Sequence, residues 1–572
     1  MAAIQPRMSR GKKYWSIVES RRVNGKPRTT ILEYLGTADS LLDRLQGNSE
    51  GTIKSYSHGD TSALLNVAEE LDIIRIINRH IPRSKSGQKP VRDGLTVGAS
   101  FLLAAIGRAC HPTSKLGWYD WCKETSLQYS LQTSLKNLDS QHFWDQMDLL
   151  PVDAIPKIEA EITEKLLSRY NIKLGKLFFD TTNFFTFIDS QNTRCDLPQR
   201  GRNKQKRLDL RQIGMALLVS EEDQFPLFHR VYKGNTADVT VFKEVISDMT
   251  KRILSLTNEL ADITLVFDKG NNSKNNFELL DNENDLHYVG GLVSSYFVDL
   301  IKEANKNFNP IKIQDELLPA YRTTKEIWGK QRTCVVTISK QLRDGQIQGI
   351  KQHLQKKYKI LEKLKQQLEN SKRRKTLKEG ELVERLKKII CGQFINLILK
   401  FDVFKLADGT VTFTYFIDQE AYDHLIDHIL GRKILVTNRH GWTSEEIILT
   451  YRGQSKVEYA FRKVKNPRHL AIRPQYHWTD QKIEAHFLMC ILGYLLTTVA
   501  YHKAQKQSDY KRNVGNFLED LRSIRISCTK KNKSNKVKYQ LESIDPAFHK
   551  TALALGISNE TLRSKINFSD YN

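Results

Sequence analysis

The chain has 572 residues, 89 of them Lys or Arg against 65 Asp or Glu, a formal charge of +24. Hydrophobic residues at 40% allow sizeable cores, which excludes a chain disordered throughout, and the length predicts three or four domains at roughly 100–200 residues each. So large a cationic excess attracts polyanions, nucleic acid foremost. A membrane surface, the competing partner, would need an amphipathic anchor or a lipidation site, and the sequence offers neither. Seven cysteines, scattered and without a CxxC pair, argue against zinc modules and disulfides and for a reducing cytosol. The opening MAAIQPRMSRGKKYW lacks the apolar core of a signal peptide, so a cytoplasmic protein is expected.

Residues 13–35, KYWSIVESRRVNGKPRTTILEYL, alternate apolar and polar positions around Asn24-Gly25. That dipeptide supplies the positive φ of a tight turn, so two antiparallel strands are predicted, with Arg21, Arg22, Lys26 and Arg28 at polar positions. From Asp60 to about Leu150 the spacing becomes helical. Leu64, Leu65, Val67, Ala68, Leu71, Ile74, Ile76 and Ile77 form one stretch, and Val97–Cys110 and Ser140–Leu150 predict further helices. Between about Leu174 and Val293 the pattern turns to short apolar runs: KLFFD ending at Asp180, IGMALLV, FPLFHRVY, ITLVFD ending at Asp268, and HYVGGLV. Runs of that length, with one helix over Val239–Glu259, predict a mixed, largely buried sheet, hence an α/β fold.

Beyond residue 341, Ile347, Ile350, Leu354, Leu361, Leu364 and Leu368 fall near heptad a and d positions. After a break at Ser371–Thr376, Leu382, Leu386, Ile389 and Ile390 continue the pattern, which predicts an antiparallel helical hairpin; a solvated charged helix is the alternative. Phe401–Ile417 alternates around Asp408-Gly409, a second β-hairpin. The most apolar run, His486–Tyr501, is shorter than the ~20 residues of a membrane span and reads as a buried helix. Ser527–Lys538 is basic and polar and reads as a loop or mobile connector.

Three acids stand out. Asp180 and Asp268 each close an apolar run, and an aspartate at the carboxyl end of a buried strand lies where α/β sheets place ligands. On neighbouring strands the two carboxylates would repel each other unless cations neutralise them, and a hard divalent ion such as Mg²⁺ uses such oxygens together with phosphate. The third is helical: Thr443-Ser444-Glu445-Glu446 is a capping box, and one helix is predicted from there to Lys465. At 100° per residue Tyr451, Gln454, Glu458, Arg462 and Lys465 share an arc of about 80°, so a carboxylate is flanked by cations that suit phosphates. Gly453 allows a kink. Each acid alone has a plainer explanation, a cap or turn for the aspartates and an i+4 pair with Arg462 for Glu458. The set is what points to chemistry. Lys204, Arg207 and Arg211, in GRNKQKRLDLRQ, either hold DNA backbone or solvate a loop. Trp328 and Trp442 could stack on an unpaired base, although a core position is the expectation for both.

The chain resembles the DDE transposases of bacterial insertion sequences, in the group marked by a Y-(2)-R-(3)-E-(6)-K signature (insertion-sequence-four-like). The signature reads YRGQSKVEYAFRKVK here, with Tyr451, Glu458 and Lys465 at the matching spacing and Gln454 in the arginine's place, where Arg452 or Lys456 could substitute. FDTTNFF, GNTADV, VFDKGNNS, HPTSK and the segment after the glutamate continue the likeness. The resemblance implies an RNase H-like core interrupted by an insertion between Asp268 and Glu458. The implied organisation starts with a β-hairpin region (1–59) and a helical DNA-binding or dimer domain (60–170). The first stretch of the core (171–340) is followed by the helical and hairpin insertion (341–420). The core then resumes with the glutamate helix (421–505), and a C-terminal region (506–572) closes the chain.

It further implies a nucleoid-associated enzyme that assembles on DNA as a homodimer or larger complex, with element ends and target DNA as partners. Asp180, Asp268 and Glu458 would be both catalytic and metal-binding, holding two Mg²⁺ (Mn²⁺ substituting) that straddle the scissile phosphate during cleavage and strand transfer. Tyr451, Arg452, Arg462, Lys465, Lys204, Arg207 and Arg211 would contact DNA; Tyr451 as a covalent nucleophile is the weaker reading. The alternatives are a nuclease of the same fold that does not join strands, and a catalytically silent DNA-binding derivative.

Overall fold

In a computed structural model the chain divides into two compact units, one of residues 1–154, 467–471 and 488–572, the other of residues 155–466 and 472–487. Residues 2–562 are described except 10, 24–25, 46–50, 84–86, 88, 132–134, 136, 173, 204–206, 257–262, 283–285, 371–377, 408, 473–475 and 532–536.

In the first unit β1 (Ala2–Ser9), β2 (Lys12–Val23) and β3 (Lys26–Gly36) make an antiparallel sheet. Val23 pairs with Lys26, as the Asn24-Gly25 hairpin requires, although those two turn residues lie outside the described ones. After α1 (Ala38–Leu45) and β4 (Gly51–Ser57), the apolar stretch from Leu64 to Ile77 is two helices, α2 (Gly59–Glu70) and α3 (Ile73–His80). They are separated because Asp72 takes φ 57°, a left-handed conformation that ends a helix. The short pair β5 (Val91–Arg92) and β6 (Leu95–Thr96) precedes α4 (Val97–Cys110), α5 (Lys115–Lys123), α6 (Leu127–Leu131) and α7 (Ser140–Asp148). Thr96 caps α4 through Ala99 N, and all of that helix but Arg108 is buried.

The second unit opens with α8 (Ile155–Tyr170) and is built on one nine-stranded sheet. Its first elements are β7 (Lys176–Phe185), β8 (Gln212–Ser220), β9 (Pro226–Lys233), α9 (Asp238–Leu256), β10 (Thr264–Phe267), α10 (Lys274–Asn282) and β11 (His287–Leu292). β7, β8 and β9 are antiparallel, β10 and β11 run parallel to β7, and the order β9-β8-β7-β10-β11 is the RNase H-like arrangement. Every residue of β8 is buried, as an apolar strand in the middle of a covered sheet must be. After α11 (Val298–Lys306), strands β12 (Asn309–Ile313), β13 (Glu316–Ile327) and β14 (Lys330–Ile338) extend the sheet, and β17 (Arg432–Thr437) joins β14 to β11.

Between β14 and β17 come α12 (Lys340–Asn370), α13 (Glu379–Ile390), α14 (Ile395–Ile398), the hairpin β15 (Leu399–Lys405) and β16 (Val411–Ile417), and α15 (Gln419–His428). Ile350, Leu354, Leu361 and Leu364 of α12 close one core with Leu382 and Leu386 of α13 and Phe413 of the hairpin. The heptad pattern therefore buries a real seam; the predicted break at 371–376 and Asp408 lie outside the described residues.

The unit ends with α16 (Ser444–Arg452), α17 (Ser455–Lys465) and the start of α18 (Asp480–Ser508). α18 is long and apolar enough to cross a membrane, but 94% of its apolar window is buried within the protein, in keeping with a core helix. The first unit is completed by α19 (Val514–Arg522), β18 (Arg525–Lys531), β19 (Val537–Leu541) and α20 (Pro546–Ala554). Of the loop or connector expected over 527–538, Ser527–Lys531 and Val537–Lys538 are strand, and residues 532–536 lie outside the described ones. β18 lies between β4 and β19, and this pairing with a strand at the opposite end of the sequence overrides a local composition that reads as loop.

Candidate active site

Asp180 is not at the end of its strand. β7 continues to Phe185 because β8 pairs with it throughout, Asp180 opposite Leu217 and Phe185 opposite Gln212. What stops at this level is the other neighbour: β10 ends at Phe267, which is opposite Phe179. Asp268 therefore follows Phe267 as Asp180 follows Phe179, on parallel backbones spaced about 4.8 Å apart. Asp268 begins a 3-10 turn, Lys269–Asn271, yet its side chain caps nothing there. Asp180 Oδ1 accepts from Thr181 N at 2.8 Å.

The helix predicted to carry Glu458 is broken. The capping box of Thr443 and Glu446 starts α16 as expected, but Gly453 and Gln454 separate it from α17. The junction packs closely on β7: a Cβ at Gly453 would lie 2.5 Å from Phe178 Cζ. Gly291 of β11 serves Tyr451 similarly, since a Cβ there would come within 2.6 Å of its hydroxyl. That hydroxyl donates to Asp268 Oδ1 at 2.8 Å. Gln454 Nε2 donates to the Phe179 carbonyl at 2.8 Å, and Lys465 Nζ donates to Thr182 Oγ1. Gln454 and Lys465 thus grip β7 on either side of Asp180. Glu458 is on the same helical face, within about 40° of both, and its side chain is exposed.

Electrostatics gives an independent reading. Burial pushes the Tyr451 phenol well up, and three negative fields act with it, Asp268 first, then Asp180 and Glu458. One hydroxyl therefore senses all three acids. On the side of β17 burial pulls the Lys433 ammonium down, opposed by the fields of Asp268 and Glu458 and assisted by those of Lys269 and Arg452.

A family model described as "Transposase DDE domain" matches residues 185–496, more than half of the chain. The chain belongs to the DDE transposases. Asp268 and Glu458 lie inside that match and Asp180 just before it. A second model, "IS1634 family transposase, N-terminal domain", matches residues 4–61 of the transposase, which makes it an insertion-sequence enzyme. Among solved structures it is similar to a piggyBac transposase in a synaptic complex with hairpin DNA, at 10% identity and a TM-score of 0.39, over 80% of this chain and 79% of that one. No curated protein matches it.

Among the described residues of the transposase, no three His, Cys, Asp or Glu side chains are grouped closely enough to hold one metal ion as they stand. The donor chemistry nevertheless suits a hard divalent cation: two aspartates that each follow a paired residue of a parallel ladder, a glutamate on a helix gripping the same strand, and a neutral hydroxyl that donates a hydrogen bond to Asp268.

The remaining residues singled out from the sequence disperse. Arg452 pairs with Glu316 at 3.0 Å, and Arg462 lies over the Tyr459 ring at 5.4 Å. Arg207 is engaged by Asp209, whose carboxyl it holds down at about 2, and Arg211 donates to the Ser190 and Asn192 carbonyls. Lys204 lies outside the described residues. Trp328 makes the β13–β14 turn at φ 52° and packs on Phe277, while Trp442 borders an apolar core under Arg439. Two features escaped sequence reading. Asp238, exposed at the start of α9, accepts from Thr181 Oγ1 at 2.7 Å and so adds a fourth acid one residue from Asp180. Lys433 is hidden in an apolar strand, with nothing local to mark it.

Proposed function

We propose that this transposase cuts DNA at the ends of its element and joins the freed 3′-hydroxyls to target DNA. Asp180, Asp268 and Glu458 form its acidic set. These residues would hold two Mg²⁺, or Mn²⁺, which supply Lewis-acid activation of the attacking and leaving oxygens. Tyr451 keeps its proton, orients Asp268 through the 2.8 Å hydrogen bond, and is therefore no nucleophile in this reading. Lys465, bonded to Thr182 two residues beyond Asp180, and Arg462 on the same helix supply cations for phosphates that reach the acids. Gln454, where the YREK group has arginine, works as a structural pin on β7, which lets the chain remain a working member of that group. Pairing of two copies on DNA belongs to the same proposal.

The observation that carries the reading is the Tyr451 hydroxyl, which touches Asp268 and lies in the fields of Asp180 and Glu458 at once. The test is to replace each acid separately, Asp180→Asn, Asp268→Asn and Glu458→Gln, and to measure Mg²⁺-dependent nicking of a duplex bearing the element's inverted repeat. Each variant should bind that duplex as the parent does and nick it about 100-fold more slowly or worse. Parental nicking by any one of them removes that residue from the set. Joining of a pre-cut end with a free 3′-hydroxyl to plasmid DNA separates transposition from simple nuclease action.

A further inference from the structure

Next to the acids, on the β17 side, the structure contains a cavity of about 670 Å³. Tyr451 belongs to both places: it lines the cavity and bonds Asp268, so the cavity begins one side chain from the acid pair. Lys433, Lys340 and Arg452 supply cations to its wall, Glu316 and Asp344 supply carboxylates, and Leu435 and Ile448 supply apolar surface. The volume falls within the roughly 300–1,000 Å³ of pockets that take small ligands, and an apolar wall with convergent cations suits a sugar or base carrying a phosphate.

Lys433 distinguishes this cavity from an accidental gap. It projects from the middle of β17 and is half-buried, and among the described residues its ammonium makes no hydrogen bond or ion pair. Arg452, by contrast, is occupied by Glu316. A half-buried ammonium that faces a cavity and is engaged by no neighbouring side chain is free to meet the oxygens of an anionic ligand. The carboxylates of Asp268 and Glu458 offset some of its charge from a distance, which places the ammonium on the side of the cavity toward those acids.

We infer that this cavity is the subsite for the nucleotide flanking the cut phosphodiester, with that nucleotide's phosphate held by Lys433. The inference rests on the reading of Asp180, Asp268 and Glu458 given above. Lys433 is a DNA-binding residue here and takes no part in bond making.

The test uses the full chain and a fluorescein-labelled nicked duplex, with Ca²⁺ in place of Mg²⁺ so that binding is read without turnover. Lys433→Gln should lower the slope of log affinity against log salt by about one unit, and Lys433→Arg should keep it. A series of duplexes, each carrying one neutral methylphosphonate near the nick, should weaken parental binding at a single flanking phosphate and leave Lys433→Gln indifferent there. An unchanged slope together with an unchanged methylphosphonate profile in Lys433→Gln overturns the subsite. If free deoxynucleoside monophosphate displaces the duplex from the parent but not from Lys433→Gln, at concentrations near its level in cells, the cavity takes free nucleotide and the strand assignment is overturned. Failure of the parent to nick DNA with Mg²⁺ would count against the proposed function instead, and the binding arms would still decide for or against Lys433.

Discussion

Replacing Gly453 by alanine sets two effects of known size against each other. In a helix, alanine is favoured over glycine by about 1 kcal/mol, and Gly453, at φ −59° and ψ −14°, is already helical, so backbone preference alone makes Gly453→Ala stabilising. The surroundings oppose it. The new methyl would lie 2.5 Å from Phe178 Cζ, 2.6 Å from Cε1 and 3.0 Å from the Thr450 carbonyl, where carbon atoms at rest need about 3.5–4.0 Å. Phe178 is 0% exposed, so its ring cannot move aside into solvent. Either the core repacks, at about 1–3 kcal/mol, or the junction of α16 and α17 lifts by about 1 Å. The net effect is between neutral and about 2 kcal/mol destabilising, opposite in sign to the helix preference. Lifting would also stretch the Gln454 bond to Phe179 and carry Glu458 away from Asp180, and a displacement of that size costs about 100-fold in rate. Thermal melts and single-turnover nicking with protein in excess measure the two consequences separately. Phe178→Leu in the same chain should restore much of the rate by making room. A Gly453→Ala protein that melts higher than its parent and nicks as fast would refute the reasoning.

Tyr451→Phe removes the donor to Asp268 and leaves the acids with less to offset their repulsion, so Mg²⁺ should raise the melting temperature of this variant more than that of the parent; an equal or smaller rise counts against a shared cation site. Gln454→Leu leaves the Phe179 carbonyl without its side-chain donor, a loss of about 1–3 kcal/mol, and should lower both the melting temperature and the nicking rate while DNA affinity holds. If Gln454 instead touched DNA, affinity would fall and the melt would stay. In the first unit, burial holds the His58 imidazole down at about 4, against roughly 6.5 in an unfolded chain. The unfolded chain therefore takes up the proton first as pH falls, so stability is at its full value above about pH 6.5 and is lost by about 1.4 kcal/mol per unit down to about pH 4. His58→Gln should flatten that dependence in melts across the range, and an unaltered slope would assign the acid sensitivity elsewhere.

What the sequence made legible were features that one strand or helix declares by itself. Apolar runs announced β7, β8 and β10, and the end of the KLFFD and ITLVFD runs picked out Asp180 and Asp268. The place of Asp180 in mid-strand was not legible, because Thr181 to Phe185 are held in the sheet by β8, a partner whose pairing no local pattern records. The same limit hid β18, which is strand because β4 pairs with it. It also hid the use of Gln454, whose bond to the Phe179 carbonyl exists only once α16 and α17 lie on β7. Lys433 is the clearest case: in GRKILVT a lysine is a plain interruption of a strand, and only the cavity beside it gives it a meaning.

The proposed site joins Asp268 and Glu458 across a long gap in sequence, and the sheet explains why such a gap is no obstacle. The insertion leaves from the end of β14 and returns at the start of β17, and those two ends are already neighbours: Ile338 pairs with Arg432, and Ser339 N donates to the Gly431 carbonyl at 2.8 Å. The turn is tight enough that Gly431, at φ 78°, has no room for a side chain against Arg343 and Ser339. Between these anchors the insertion closes its own core, from Ile350 through Phe413 to Leu430. Lengthening a segment whose ends are pinned side by side costs little, since closure entropy grows only with the logarithm of length. β17 then pairs with β11 at Leu292–Ile434 through Val289–Thr437, and α16 starts from a fixed point on the same sheet as Asp268. The placement of α17, the helix that carries Glu458, is thus set by the ladder from β7 to β17 and by the bonds of Tyr451, Gln454 and Lys465, whatever the number of residues in between.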